Sequence, residues 1–214
     1  MSDEQYFTTQ PQVASVAHTK QQNFAVLRVA DRELTIGTDR GVFSRKGIDQ
    51  GTMVLLECAA RPPSTGNFLD LGCGAGPIAL TLAAYSPNAT VYAIDINDRA
   101  QELTQSNAQL NHLSNVIASA PDEVDESIRF DVLWSNPPIR IGKQELHALL
   151  LTWLSRLLPT GEAWLVINRN LGSDSLAVWL TKQGYSTERL TSKRGFRVLR
   201  VTPTRAPDQP EFSA

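Results

Sequence analysis

Phe68-Leu69-Asp70-Leu71-Gly72-Cys73-Gly74-Ala75-Gly76-Pro77 is the stretch whose reading decides the fold. It reads as a strand running into a glycine turn and then a helix, the architecture of a nucleotide-cofactor site. Glycines at 72, 74 and 76 remove side chains that would block a ligand from the backbone, and they free the turn to take positive φ angles.

Outward from that stretch, compact apolar runs alternate with amphipathic segments. FLDLG is followed by PIALTLAAY, VYAID by DRAQELTQSNAQL, then NVIAS, FDVLWS by KQELHALLLTWLSRLL, and EAWLVIN by DSLAVWLTKQ. Strand-helix alternation of this kind predicts an α/β fold with a mostly parallel sheet and helices on both faces. After Gly184, YSTERLT and FRVLRV follow each other with only Ser192 to Gly195 between them, too little for a helix, so they predict an antiparallel hairpin at the sheet edge. The expected sheet therefore has seven strands.

Upstream, FAVLRV, ELTIG and GVFS between Phe24 and Ser44 read as small antiparallel strands, a flap. GTMVLLECAAR, from Gly51 to Arg61, takes helical spacing and stops at Pro62 and Pro63. The expected organisation is an N-terminal lead, flap and helix over 1–62, a catalytic domain over 63–202, and a disordered, proline-marked tail over 203–214.

The glycine register narrows the cofactor. A dinucleotide fingerprint needs Gly-x-Gly-x-x-Gly, but the third position falls on Pro77, and Asp70 stands two residues before the first glycine. About twenty residues on, the next strand ends in Asp95, followed by Ile96, where a carboxylate can accept both hydroxyls of a ribose. The third strand exits through Ala118-Ser119-Ala120-Pro121-Asp122. Asp122 is the candidate acceptor for an adenine amino group, with a solvated loop acid as the competing reading.

The fourth strand, Phe130 to Ser135, delivers Asn136-Pro137-Pro138-Ile139 to the carboxyl end of the sheet, where open α/β folds place ligands. Consecutive prolines fix φ at 137 and 138 and hold Asn136 and Pro137 extended, so the loop is preorganised. The Asn136 amide oxygen and the Pro137 carbonyl can accept both hydrogens of a planar exocyclic amine and so aim its lone pair. Asn-Pro also initiates ordinary turns, which is the structural alternative.

Bulk properties bound the rest. A chain of 214 residues with 42% hydrophobic and 20% charged residues suits one globular unit. The opening MSDEQYFTTQPQ has no basic flank or apolar block, so no secretory signal is expected. The apolar stretch from Leu146 to Leu158 is interrupted by Thr152, Ser155 and Arg156 and is too short to span a bilayer. Cys58, Cys73 and the three histidines show neither disulfide nor metal spacing, so a cytoplasmic protein without a structural metal is expected. A net charge of -2 disfavours indiscriminate nucleic-acid binding but leaves room for a local basic patch. Trp134, Trp153, Trp164 and Trp179 fall inside element patterns and read as core.

The Asp70-x-Gly72-x-Gly74-x-Gly76 turn resembles motif I of the class I methyltransferases, a Rossmann-like fold whose cofactor is S-adenosyl-L-methionine. The resemblance implies that Asp70 helps hold the cofactor's ammonium group, often through water. Asn136-Pro137-Pro138 is similar to the motif of the amino methyltransferases that modify adenine, guanine or glutamine side-chain nitrogens.

A narrower resemblance runs from Tyr6 to Val201. Ser135 to Lys143, the Thr38-Asp39-Arg40-Gly41-Val42-Phe43-Ser44 stretch, and Gly47-Ile48-Asp49-Gln50-Gly51-Thr52 are similar to the small-subunit ribosomal RNA guanine-N2 methyltransferases of the methyltransferase small-domain family. This implies a cofactor pocket built from Phe43, Asp49, Gly51, Thr52, Asp70, Gly72, Cys73, Gly74, Gly76, Asp95, Ile96, Asp122 and Asn136, with Asn136, Pro137, Pro138 and Ile139 holding the guanine.

Ile139 stands where the family has an aromatic residue and Arg140 where it has a histidine, so base stacking of about 1–3 kcal/mol is lost or supplied by another ring. The extra N-terminal domain of two-domain relatives has no expected counterpart here.

The implied partner is ribosomal RNA or the small ribosomal subunit, with Arg140, Lys143, Arg169, Lys193, Arg194 and Arg197 as candidate contacts, each alone an ordinary solvated cation unless they cluster. No membrane partner is expected, and a monomer is the simplest state. A protein glutamine-N5 or nucleic-acid adenine-N6 methyltransferase stays open as an alternative, as does a module that binds cofactor or RNA without catalysis.

Overall fold

In the computed structural model, which describes residues 23–29, 32–39, 42, 47–138 and 141–204, the apolar runs pair into one twisted sheet. Its strands are β3 (Thr65–Leu71), β4 (Asn88–Ile94), β5 (Val116–Ser119), β6 (Phe130–Ser135), β7 (Leu157–Asn168), β8 (Tyr185–Lys193) and β9 (Phe196–Pro203), in the order β5-β4-β3-β6-β7-β9-β8. The first five are parallel, and β9 joins β7 and β8 antiparallel. Two further strands, β1 (Asn23–Val29) and β2 (Arg32–Thr38), form a separate antiparallel ribbon, the predicted flap.

Strand periodicity divides the core into two layers. Phe68, Val91, Val132, Trp134 and Val166 face α1 (Gln50–Cys58), α2 (Pro77–Tyr85), α3 (Asp98–Leu110) and the flap. On the opposite face Leu69, Ile94, Leu133, Leu165 and Ile167 meet α4 (Lys143–Leu154) and α5 (Ser173–Lys182). Burial on both faces explains why the strands read as continuous apolar runs rather than alternating ones. Trp134, Trp153 and Trp164 lie in this core as expected, whereas Trp179 is half-buried and stacks on His147, with ring centroids 3.6 Å apart.

The β8–β9 turn is tighter than predicted. Only Arg194 and Gly195, at φ 52° and 81°, separate Lys193 from its partner Phe196, the two-residue hairpin geometry that needs positive φ at both positions. Two other boundaries also move. The helix expected to run through Leu158 ends at Leu154, because Leu157 leaves to pair with Phe130, whose N–H bonds the Arg156 carbonyl. The last strand continues through Pro203, inside the segment assigned to a tail, and Thr204 N–H bonds Gly184 O. Residues 205–214 lie outside those described.

The strand order places the site. From β3 the chain moves outward to β4 and β5, then returns to lay β6 on the other side of β3. That reversal opens a crevice at the carboxyl ends of β3 and β6. The register Asp70↔Trp134 brings Gly72 level with Asn136, and the Ser135 hydroxyl pins the two strand ends by donating to Leu71 O at 2.7 Å.

Candidate active site

The turn after β3 is held from below and bare above. Gly72 and Cys73 donate their N–H groups to Ile94 O at 2.8 and 3.0 Å, which ties the turn to the end of β4. Gly76, at φ 82°, precedes α2; a Cβ there would stand 2.9 Å from Thr104 and Leu80 side-chain atoms. Gly72, at φ 79°, differs: a Cβ there would meet only Pro138 Cδ, at 3.8 Å. Gly76 is bare so that α2 and α3 can close, Gly72 because it borders the crevice.

A partly open crevice lies between the flap, the start of α1 and the glycine turn. Asp49, Thr52, Gly72, Cys73, Gly74 and Asn136 line it, all of them predicted. Ile36 and Thr38 of the flap also line it and are not among the expected site residues, because nothing in the local pattern distinguishes a flap residue facing the sheet from one facing solvent; Ile48, next to the Asp49 cap, lines it too.

Both predicted acids are bonded to backbone. Asp95, half-buried, accepts Gly74 N–H on Oδ2 and Asn97 N–H on Oδ1, each at 3.0 Å. Burial raises its pKa, and these donors oppose the rise. Asp70 is fully buried and is not part of the crevice lining. Its Oδ2 accepts the Ala79 N–H at 2.9 Å, anchoring the first turn of α2, and its Oδ1 has no hydrogen-bond partner among the described residues. Burial pushes its carboxyl up to about 8; the Ala79 bond opposes this and nearby Asp95 adds to it.

Asn136 reaches across the crevice to the start of α1. Its Nδ2 donates to Asp49 Oδ2 at 2.8 Å and to Thr52 Oγ1 at 3.0 Å. Asp49 is itself fixed as the N-cap of α1, its Oδ2 accepting from Gly51 N at 2.7 Å and Thr52 N at 3.1 Å. The Pro138 carbonyl accepts from Ile141 N–H at 3.2 Å, while among the described residues nothing donates to the Pro137 carbonyl or to Asn136 Oδ1.

Other predicted residues stand elsewhere. Asp122 is exposed on a short 3-10 turn, Pro121–Glu123, outside the lining, where the neighbouring Glu123 carboxylate accepts the Ala120 N–H. Ile96 is 39% exposed beside Asp95. Gly51 packs against Phe196, where a Cβ would approach to 2.8 Å. Phe43, Ile139 and Arg140 lie outside the described residues. Of the candidate RNA-contacting cations, Lys193 and Arg194 both pair with Glu57, at 2.5 and 3.0 Å, and Arg197 pairs with Asp174. Among the described residues Lys143 and Arg169 enter no ion pair.

The family model for the methyltransferase small domain matches residues 33–200. The uncharacterized protein YbxB of Bacillus subtilis is 34% identical over 201 residues, covering 92% of this chain and 98% of its own. Ribosomal RNA small subunit methyltransferase C of Erwinia tasmaniensis is 34% identical over 178 residues, or 81% of this chain and 51% of that protein. The Thermus thermophilus 16S rRNA N2 G1207 methyltransferase, solved with AdoMet and guanosine, superposes with a TM-score of 0.67 at 23% identity over 91% of this chain and 52% of that one. The chain thus spans about half the length of these named rRNA methyltransferases and nearly all of the Bacillus protein. With more than half of its residues inside the family model and its glycine turn and Asn-Pro-Pro loop facing one crevice, this chain belongs to the methyltransferase small domain family and is a methyltransferase.

Proposed function

We propose that the chain methylates an exocyclic amine, guanine N2 of small-subunit ribosomal RNA, with S-adenosylmethionine as donor. When bound, that cofactor supplies an electrophilic methyl group on a positively charged sulfur that leaves as a neutral thioether. The residues present fit it. Gly72 leaves bare backbone at the crevice wall, and Asp95, just outside that wall, accepts the Gly74 N–H and so stands beside the turn with acceptor capacity for ribose hydroxyls.

The observation that carries the reading is the open amide oxygen of Asn136 one strand away from the bare turn. This oxygen and the Pro137 carbonyl can accept the two hydrogens of a flat NH2 group, leaving its lone pair directed at the Gly72 side of the crevice. As positive charge develops on that nitrogen, the same two oxygens stabilise it, so orientation rather than a strong base is what the chain provides. Small-subunit ribosomal RNA is supported by the name of the Erwinia relative, and guanine N2 by the Thermus enzyme, an N2 G1207 methyltransferase solved with guanosine.

The test is transfer of tritium-labelled methyl to undermethylated small ribosomal subunits, followed by nucleoside mass spectrometry. N2-methylguanosine is the expected product, and Asn136→Ala should abolish it while largely sparing cofactor affinity. Equal turnover by that variant defeats the assignment. Methyl found on adenine or on a protein glutamine keeps the amine geometry and rejects guanine.

A further inference from the structure

A side-chain amide offers an acceptor at one end and a donor at the other, and an amine can be gripped only by the acceptor. We infer that Asp49 and Thr52 are positioning residues that set which end of Asn136 faces the crevice. Both Nδ2 hydrogens are occupied, one by the Asp49 carboxylate at 2.8 Å and one by the Thr52 hydroxyl at 3.0 Å. Rotating the amide by half a turn would bring Oδ1 against a carboxylate oxygen, replacing a charge-assisted hydrogen bond with repulsion. Oδ1 is therefore held toward the crevice before substrate arrives.

The support is itself rigid. Asp49 Oδ2 is fixed by the first N–H groups of α1, and Thr52, 4% exposed, lies in that helix's first turn. Helix α1 packs on β7 and β9 and so couples the amide to the sheet. The Asp49–Thr52 segment thereby has a task apart from enclosing cofactor: it orients the group that selects an amine. This inference rests on the function proposed above and names the residues that make Asn136 competent for it.

The variants are chosen to keep α1 capped. Asp49→Ser retains an N-cap oxygen but is too short to reach Asn136, and Thr52→Val removes the hydroxyl at constant shape. In the cofactor-free, ¹⁵N-labelled wild-type protein, the two Asn136 side-chain amide protons should exchange slowly with water, and in the Asp49→Ser/Thr52→Val protein at the rate of a free amide. The double variant should lose about 10²-fold in kcat, as expected for a misplaced reacting group. Because Asp49 and Thr52 also line the crevice, kcat is read at saturating cofactor, and there Thr52→Ser should recover most of the Thr52→Val loss.

Fast exchange of the Asn136 amide in the wild-type protein, or a folded double variant with wild-type kcat, overturns the inference. Neither result touches the proposed function, which fails instead if Asn136→Ala turns over normally.

Discussion

The side chain of Asn107 completes the backbone hydrogen bonding of Gly37, accepting its N–H at 2.9 Å and donating to its carbonyl at 3.0 Å. One helical turn on, Asn111, the C-cap of α3, does the same for Thr35, at 2.8 and 2.7 Å, so two amides stand where a third flap strand would be. Asn107 Nδ2 also donates to Ala75 O at 2.9 Å, which ties the flap directly to the glycine turn. Asn107→Ala would leave three backbone groups unpaired where Asn107 itself is 3% exposed. It should destabilise the protein by about 2–4 kcal/mol in thermal or denaturant unfolding. Titration calorimetry should show weaker cofactor binding, because the turn loses its brace. A variant that melts with the wild type would mean the flap is held by its apolar face alone.

Gly72 and Gly76 both take positive φ, yet their replacement by alanine should fail in different ways. At Gly76 the new methyl meets Thr104 and Leu80 at 2.9 Å, so strain adds to overpacking and the cost should reach about 2–5 kcal/mol of stability. At Gly72 the nearest atom is 3.8 Å away, which leaves only the conformational cost of about 1–2 kcal/mol. That methyl enters the crevice, so Gly72→Ala should weaken cofactor binding at least about tenfold while the protein stays folded. Melting curves paired with calorimetry separate the two outcomes, and equal effects from both variants would contradict the division of roles.

Asp70 makes the apoprotein's stability pH-dependent in a definite direction. Its carboxyl, raised by burial to about 8 from an ordinary value near 3.8, holds its proton in the native state after the unfolded chain has released it. Between those values the native state binds more protons, so stability falls as pH rises through the window. Asp95 is also raised, chiefly by burial, and adds with the same sign. Glu57 is held low, first by its Lys193 hydrogen bond, and Asp125 by its bonds to Ser127. Both lose stability as pH falls through the acid end, and both are too exposed for that to outweigh Asp70. His147, held low first by burial and then by Lys143, acts with the opposite sign but is only partly buried, so cofactor-free protein should melt progressively lower from about pH 5 to pH 8, and Asp70→Asn should flatten that slope. An unchanged slope in the variant would assign the effect elsewhere.

Much of this arrangement is legible in one dimension because punctuation marks it. Glycines end β3 at Gly72, prolines follow β6 at Pro137, and an acid ends β4 at Asp95, so each group could be placed at a strand end from its own neighbourhood. What stays hidden is contact between distant segments. Asp49 and Asn136 are 87 residues apart, and their hydrogen bond follows only from the helix before β3 packing across β7 and β9. Asn107 sits in DRAQELTQSNAQL and Asn111 directly after it, where an i, i+4 polar pair has the pattern of a solvated face. Arg156 marks the same difficulty at an element end. LTWLSRLL keeps helical spacing past Leu154, and the chain leaves the helix because Leu157 has a strand partner in Phe130.

Lys143 and Arg169, which enter no ion pair among the described residues, give the proposed RNA contact its clearest test. Lys143 opens α4 just beyond the Asn-Pro-Pro loop, and Arg169 follows the end of β7, so both lie at the carboxyl end of the parallel strands, as Asn136 does. Arg169 N–H also bonds Gly195 O at 2.8 Å, which places it against the β8–β9 turn. In that turn Lys193 and Arg194 share Glu57, so part of their charge is already neutralised within the protein. If the RNA backbone crosses this end of the sheet, Lys143→Ala/Arg169→Ala should weaken binding about tenfold near 50 mM salt. The slope of log affinity against log salt should shrink by about two, uniformly across RNA sequences. Glu57→Gln, which releases two cations beside them, should tighten binding and steepen the slope, with a stability change below about 1 kcal/mol. Fluorescence anisotropy with a labelled RNA from about 50 to 200 mM salt measures both effects. A slope that neither variant alters would place the RNA on a different face.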